Sequence, residues 1–285
     1  MTPQRLAAGI AACLAASCAQ VPAASGPPVQ TLIVNGHTVD LILSGNQNDS
    51  TVVYFPGCNG RDAYGTKYQD FHVEKIRQAW NGRVNIVRPQ LVNDVTRGAV
   101  GGNCFWDSQR SNANKLNTYH LAQQVGDIAT GWLRQQPWFN GHAHFFGFSF
   151  GGRVSLQVNN ILKTRGAFHT VTAIWPQCLE EYRFKANYPH TPSRFYATQG
   201  DPLSEIGNCL SHYPPGSERM IKIITYPGDL HSWMTHPDVT RQRVWWPNHQ
   251  LWVTSAYVEE YADSTWKTWS DWARCMESGV PEVSC

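Results

Sequence analysis

The stretch that decides the fold is residues 145–152, which read Phe-Phe-Gly-Phe-Ser-Phe-Gly-Gly. An apolar run ends there in a Gly-x-Ser-x-Gly-Gly pattern, and a helical pattern follows over residues 153–162. A tight strand-to-helix turn exposes a serine hydroxyl in a strained conformation, and Gly147 and Gly151 leave room for such a turn because they carry no Cβ. The pattern therefore predicts Ser149 as a nucleophile. The alternative is a glycine-rich turn with an idle serine.

Strand-like and helix-like runs alternate along the rest of the chain, which favours an α/β fold with a mostly parallel central sheet and helices on both faces. Two runs separated by Asn35-Gly36 predict an antiparallel hairpin at the start. Strands are predicted at 31–34, 38–43, 51–55, 83–87, 170–175, 193–197 and 220–226, besides the one that ends at Phe148. Helices are predicted at 67–80, 119–135, 150–163 and 251–275, and a border loop of the active site at 93–117.

Three tryptophans lie three residues apart in the last predicted helix, at positions 266, 269 and 272. This spacing puts them on one helical face. We expect that face to pack against the sheet, and the alternative is an aromatic stripe that binds a ligand.

A serine nucleophile needs a base, and the chain has 11 histidines. His231 directly follows the strand predicted at 220–226. A loop at the carboxyl end of a parallel strand reaches the edge of the sheet where Ser149 is expected. His236 belongs to the same predicted loop and is the alternative. The position favours His231 as the base.

The base in turn needs an orienting acid, and Asp201 follows the strand predicted at 193–197 through a Gly-Asp-Pro turn. The chain order Ser149, Asp201, His231 is that of the α/β-hydrolases. Asp229 is closer to the base in sequence, but two residues before it the side chain is expected to point away. Because Gly-Asp-Pro is also ordinary turn chemistry, a purely structural Asp201 is the alternative.

Backbone N–H groups are expected to form the oxyanion hole. One is that of Phe150, directly after the nucleophile, and the other comes from the loop after the strand predicted at 51–55. Cys58 is the natural donor in that loop. No two cysteines have Cys-x-x-Cys spacing, so we expect neither a zinc site nor a redox motif, and the chemistry needs no cofactor.

Together these motifs resemble the dienelactone hydrolase-like branch of the α/β-hydrolases. The matching segments are 55–60 (Phe-Pro-Gly-Cys-Asn-Gly), 97–98 (Arg-Gly) with Cys104 downstream, 147–152, 200–201 and 226–231 (Tyr-Pro-Gly-Asp-Leu-His). The resemblance implies the α/β-hydrolase fold and the hydrolysis of esters or lactones, with Ser149, Asp201 and His231 in the triad roles. Two residues depart from the pattern: Ser149 replaces the cysteine nucleophile of the branch's named members, and Pro56 stands where relatives usually have His.

The first residues of the chain are typical of a targeting segment. Arg5, an apolar stretch at 6–16 and the following Ser-Cys indicate an export signal over residues 1–18, too short to remain as a membrane span. The end of this segment also resembles a bacterial lipobox, which would attach a lipid anchor through Cys18. Cleavage nearer Ala23 would instead release a soluble periplasmic or secreted protein.

The remainder divides into a tether and a folded unit. Residues 19–29 are small and proline-rich, which suits a tether. Residues 30–285 are expected to form a single domain, since their length is sufficient for one large core and no internal repeat is evident.

Six cysteines lie beyond the signal, an even number that predicts disulfides in an exported protein. Six cysteines allow fifteen pairings, and sequence alone does not choose between them. Proximity in the expected fold suggests three pairs: Cys178–Cys209, Cys275–Cys285 and Cys58–Cys104.

The formal net charge is +2 and the basic residues form no stripe, so neither nucleic acid nor an anionic membrane surface is indicated as a partner. We therefore expect an exported serine hydrolase that cleaves small-molecule carboxylic esters or lactones. The alternatives are another acyl-transfer activity, such as a peptidase, thioesterase or transferase, and a non-catalytic binding protein on the same scaffold. The sequence indicates neither the substrate nor the oligomeric state.

Overall fold

The structure is a computed structural model, and it describes residues 27–57, 63–91, 113–161, 164–178, 189–211, 213–246 and 250–285. The predicted export signal lies outside the described residues, as do most of the tether and most of the predicted border loop. Cys58 and Cys104 lie outside them as well, so the pairing suggested for these two cysteines stays a prediction.

An eight-stranded sheet forms the centre of the fold. Its strands are β1 Val29–Val34, β2 His37–Ile42, β3 Ser50–Phe55, β4 Val84–Pro89, β5 Ala143–Phe148, β6 Thr170–Ile174, β7 Ser193–Thr198 and β8 Ile221–Tyr226. They lie in the order β1-β2-β4-β3-β5-β6-β7-β8. β1 and β4 both pair antiparallel with β2, and every other neighbouring pair is parallel. The predicted α/β fold with its mostly parallel sheet and N-terminal hairpin is confirmed.

Helices cover both faces of this sheet. They are α1 Ala63–Ala79, α2 Ala113–Asp127, α3 Phe150–Asn160, α4 Ile206–Ser211 and α5 Glu259–Glu277. α2 begins inside the segment predicted as a loop and continues as a π-helical turn and a 3₁₀ turn to Gln135. None of the helices in the described ranges has both the length and the apolar character that crossing a membrane requires.

The central strands are buried along their whole length because they are covered on both faces. Alternate residues of β5 therefore enter different hydrophobic clusters. Phe145 packs with α2 and α3 on one face, whereas Phe146 packs with α1 and α5 on the other. On that second face the tryptophans of α5 are buried, which confirms that the stripe packs in the core: Trp266, Trp269 and Trp272.

A second sheet of three strands follows the first, and the sequence analysis did not predict it. It consists of β9 Leu230–Ser232, β10 Gln242–Trp246 and β11 Leu251–Ser255, in the order β10-β11-β9. The helix predicted from residue 251 is therefore wrong over its first part, and α5 begins only at Glu259. The middle of this segment consists of the aromatic Trp252 and the β-branched Val253 and Thr254, residue types that favour a strand.

Two of the three suggested disulfides are present among the described residues. Cys178 and Cys209 are joined with their Cα atoms 4.8 Å apart, and Cys275 and Cys285 with theirs 5.7 Å apart. The first links the segment after β6 to α4. The second closes the C-terminus onto the end of α5. Both pairings are confirmed.

Candidate active site

Ser149 occupies the turn between β5 and α3 in a conformation that L-residues rarely adopt. Its φ is 49° and its ψ is −108°, a region that normally requires glycine. The turn is held on both sides, because the Ser149 N–H donates to the Ile174 carbonyl at 2.9 Å and the Arg153 N–H donates to the Ser149 carbonyl at 2.9 Å. Strained residues of this kind cluster at functional sites.

The two glycines of the motif are required by close backbone contacts. A Cβ at Gly147 would overlap the carbonyl group of Gly151, and a Cβ at Gly151 would overlap the carbonyl oxygens of Phe55 and Pro56. The end of β3 thus lies directly against the first turn of α3. These two contacts explain why the pattern needs glycine on either side of the serine.

The structure brings Ser149, His231 and Asp201 together. Ser149 Oγ lies 2.9 Å from His231 Nε2, and His231 Nδ1 lies 2.8 Å from Asp201 Oδ2. An ionised carboxylate only accepts hydrogen bonds, so Nδ1 carries the proton and Nε2 is left to accept the serine hydroxyl. Asp201 and His231 are both buried, while Ser149 is half-buried.

Each of these side chains is positioned by a different element. Asp201 comes just after β7, and its Oδ1 accepts the backbone N–H of Leu203 at 2.9 Å, which fixes the carboxylate plane. His231 lies in β9 rather than in a loop, so its backbone is held by the pairing of β9 with β11. This placement agrees with the expectation that the carboxyl ends of successive parallel strands meet at one edge of the sheet.

The two alternative residues lie elsewhere. The His236 ring packs against Phe71 with centroids 5.2 Å apart, and its Nδ1 is 3.3 Å from a carboxylate oxygen of Asp238. Asp229 is exposed and accepts a hydrogen bond from Arg241 at 2.8 Å. Neither side chain is placed at Ser149.

Of the two expected oxyanion donors, Phe150 is the first residue of α3, where backbone N–H groups lack helical partners. Cys58 lies outside the described residues. The segment that leads to it nevertheless approaches the serine, because a Cβ placed on Gly57 would lie 3.5 Å from Ser149 Cβ. Gly57, the last described residue of the segment after β3, therefore lies beside the serine.

A buried histidine that the sequence analysis did not single out lies behind the site. His72 of α1 stacks on Phe148 with ring centroids 3.9 Å apart, accepts a hydrogen bond from the Tyr54 hydroxyl at 3.0 Å and donates to the Met234 carbonyl at 2.9 Å. Burial lowers the pKa of His72 to about 3, and the Met234 carbonyl only partly opposes this. The ring is therefore neutral, and it ties α1 to the segment that follows His231.

Gln177 is a second residue that the sequence analysis missed. It follows β6, is buried, and its Nε2 lies 3.3 Å from Ser149 Oγ. The rule that placed Asp201 and His231, that polar residues after parallel strands converge at one edge, applies to Gln177 as well.

Within the described residues, no group of three or more His, Cys, Asp or Glu side chains is arranged to hold a metal ion.

Comparison with known proteins gives similar structures but no similar sequences. No protein-family model and no curated protein matches the chain. A dienelactone hydrolase-like promiscuous phosphotriesterase from metagenomic libraries superposes with a TM-score of 0.58 at 13% identity, over 87% of this chain and 98% of its own. A provisionally assigned dienelactone hydrolase from Klebsiella pneumoniae superposes with a TM-score of 0.57 at 11% identity, over 87% and 97%. The chain thus has the α/β-hydrolase fold of these dienelactone hydrolase-like proteins.

Proposed function

We propose that the protein is a serine hydrolase that cleaves carboxylic esters or lactones. The observation that carries the proposal is the continuous chain of hydrogen-bonding distances from Ser149 Oγ through His231 to Asp201, built on a strained turn. A structural serine needs neither the strain nor a base whose other nitrogen is held by a buried carboxylate. The similarity to dienelactone hydrolase-like structures supports the same reaction class.

In the proposed reaction, His231 Nε2 removes the hydroxyl proton as Ser149 Oγ attacks the carbonyl carbon. Asp201 holds the imidazole in the required tautomer and stabilises the imidazolium. The N–H of Phe150, together with that of Cys58, would bind the oxyanion. His231 then protonates the leaving alcohol oxygen, and a water molecule, deprotonated by the same histidine, releases the acid from the acyl-enzyme.

The triad alone does not identify the class of substrate. The triad chemistry is shared by esterases, lactonases, thioesterases, peptidases and acyltransferases, so it does not select among them. An ester has a better leaving group than an amide, which disfavours a peptidase, and the similarity to dienelactone hydrolase-like structures favours esters or lactones over thioesters. We propose esters or lactones, and a matched panel of ester, lactone, thioester and amide substrates decides among these classes.

The central test is the Ser149→Ala variant assayed on short p-nitrophenyl esters and with a fluorophosphonate probe. We expect turnover to fall by at least about a thousandfold and labelling to disappear, because the nucleophile is removed. Ser278→Ala is the matched control, since Ser278 is exposed and its hydroxyl donates to the Cys275 carbonyl at 2.6 Å. Undiminished ester hydrolysis by Ser149→Ala would exclude the assignment, and a wild-type protein that resists the probe would indicate a non-catalytic scaffold.

The proposal also includes export. The signal predicted at 1–18 carries it, and the two disulfides in the folded part support it, because such bonds persist mainly in oxidising compartments. Mass spectrometry of the mature protein tests this step. A diacylated N-terminal Cys18 would mean a lipid-anchored protein, a cleavage near Ala23 a soluble one, and an intact N-terminus would contradict export.

A further inference from the structure

The mechanism proposed above leaves one polar contact of the nucleophile unused. Gln177 Nε2 lies 3.3 Å from Ser149 Oγ, and the side chain is buried with 4% of its surface exposed. Gln177 approaches from the β6 side of β5, whereas the loop expected to carry the second oxyanion donor follows β3 on the other side. The carboxamide and that loop therefore flank the serine from opposite directions.

The hydrogen-bonding capacity of the serine determines which end of the carboxamide faces it. Ser149 has a single hydroxyl proton, and the 2.9 Å contact with His231 Nε2 uses it. Oγ can then only accept from another partner, so Gln177 presents its NH₂ group. One lone pair of Oγ receives this hydrogen bond, and the other remains available to attack a carbonyl carbon.

The backbone around Gln177 is fixed to the segment that carries the acid. The Cys178 N–H donates to the Leu203 carbonyl at 2.7 Å, and the Ser204 hydroxyl donates to the Pro176 carbonyl at 2.7 Å. These two bonds bracket Gln177 on both sides. Because the same segment begins at Asp201, the carboxamide and the acid are held in one unit.

Two further features restrict this segment. Cys178, which directly follows Gln177 in the chain, forms a disulfide with Cys209 of α4. Trp175, which is buried, has a φ of 37° and donates its N–H to the Tyr196 carbonyl at 2.7 Å. A bulky residue at positive φ is strained and persists only where the surroundings impose it. The backbone is thus constrained just before Gln177 by the contacts that impose this strain and just after it by the cross-link.

We propose that Gln177 is a catalytic residue that stabilises charge on the nucleophilic oxygen of Ser149. As Ser149 passes its proton to His231, negative charge develops on Oγ and the hydrogen bond from Gln177 strengthens. When the Oγ–carbon bond is complete, that charge has moved to the carbonyl oxygen of the substrate. In deacylation the acyl–Oγ bond breaks and its electron pair returns to Oγ, which Gln177 again stabilises until His231 returns the proton. This role rests on the proposed serine hydrolase function and adds a donor at the nucleophile to those expected at the oxyanion.

The experiment compares the wild-type protein with Gln177→Met, which keeps the length of the side chain and removes the donor. The readout is the second-order rate of fluorophosphonate labelling of Ser149, because this reaction reports attack by Oγ without deacylation. We expect the rate to fall about tenfold. This is the contribution expected of one hydrogen bond to a developing charge when the donor–acceptor distance is long. With p-nitrophenyl esters the loss is expected in kcat and not in KM.

The matched control is Gln199→Met, which removes an exposed carboxamide from the neighbouring strand-end segment. A second variant, Gln177→Glu, tests the placement itself. A carboxylate there would stabilise the His231 imidazolium and move the acidic limb of the pH–rate profile to higher pH, which a residue with a packing role would not do. Urea unfolding and thiol titration of each denatured variant establish that the fold and the Cys178–Cys209 bond are intact.

The outcomes separate this inference from the proposed function. Slow labelling of Gln177→Met, with normal labelling of Gln199→Met and a shifted acidic limb in Gln177→Glu, supports the role. Wild-type labelling rates in Gln177→Met would overturn the role of Gln177 and leave the serine hydrolase proposal standing. Absence of labelling in the wild-type protein would overturn both.

Discussion

The backbone of Ser149 predicts that, of two inactive variants at this position, the glycine variant is more stable than the alanine variant. Ser149→Gly and Ser149→Ala both remove the hydroxyl, so both lose its contacts with His231 and Gln177. They differ only in the Cβ. At a φ of 49° and a ψ of −108° that Cβ is the source of the strain, and glycine adopts the conformation freely.

The expected magnitude follows from two opposing contributions. Holding a non-glycine residue in a sparsely populated backbone region costs about 1–3 kcal/mol, which glycine avoids. Glycine also increases the conformational freedom of the unfolded chain, and this costs about 0.5–1 kcal/mol relative to alanine. With about 2 kcal/mol for the strain, Ser149→Gly should exceed Ser149→Ala in free energy of unfolding by about 1 kcal/mol.

Urea unfolding followed by tryptophan fluorescence measures this difference, with equal m-values for the two variants as the condition for comparison. The control is the same pair of substitutions at Asp263, an exposed interior position of α5. There glycine should be less stable than alanine by about 1 kcal/mol, so the sign reverses. If glycine is less stable than alanine at Ser149 as well, the backbone strain that supports the nucleophile assignment does not exist in solution.

Three further substitutions probe the surroundings of the site. Gly151→Ala should lower the free energy of unfolding by about 3 kcal/mol and lower ester turnover, because the new Cβ overlaps the Phe55 carbonyl; an unchanged urea midpoint would contradict this. Trp269→Ala should cost about 3–5 kcal/mol, since the fully buried ring leaves a cavity between α5 and the sheet, and thermal unfolding measures the loss. The pKa of His72 falls from 6.5 in the unfolded chain to about 3 in the fold, so stability is complete above pH 6.5 and falls as the pH drops toward 3, by up to about 1.4 kcal/mol per pH unit. His72→Gln should flatten that part of the urea-midpoint curve, and an identical slope would show that His72 does not titrate with folding.

The meeting of Ser149, His231 and Asp201 at one place could be predicted because each stands where a chain-order rule applies. A glycine pattern indicated the turn at Ser149, and strand periodicity put Asp201 and His231 at the ends of later strands. Helical periodicity was misleading at residues 251–255. Apolar residues there continue the helical spacing of α5, and their pairing with β9 and β10 depends on strands that the sequence analysis did not find.

His72 and Gln177 could not be identified in the same way. The carbonyl that His72 binds belongs to Met234, 162 residues further along the chain, so no local pattern signals the contact. Gln177 stands after a strand like the other site residues, but so do many polar side chains. Which of them turns toward Ser149 is decided by tertiary contacts, here the bonds and the cross-link that hold the segment after β6.

The site residues come from different elements of the fold, and each is fixed by contacts that do not involve the serine. Asp201 is held by the Leu203 N–H, and the segment of Gln177 by bonds to Leu203 and Ser204. Stability and reactivity should therefore separate on substitution. Ser149→Gly is expected to be more stable than Ser149→Ala although both are unreactive, and Gln177→Met to lose rate while it stays folded. If these residues served only to fold the protein, both quantities would fall together in every variant.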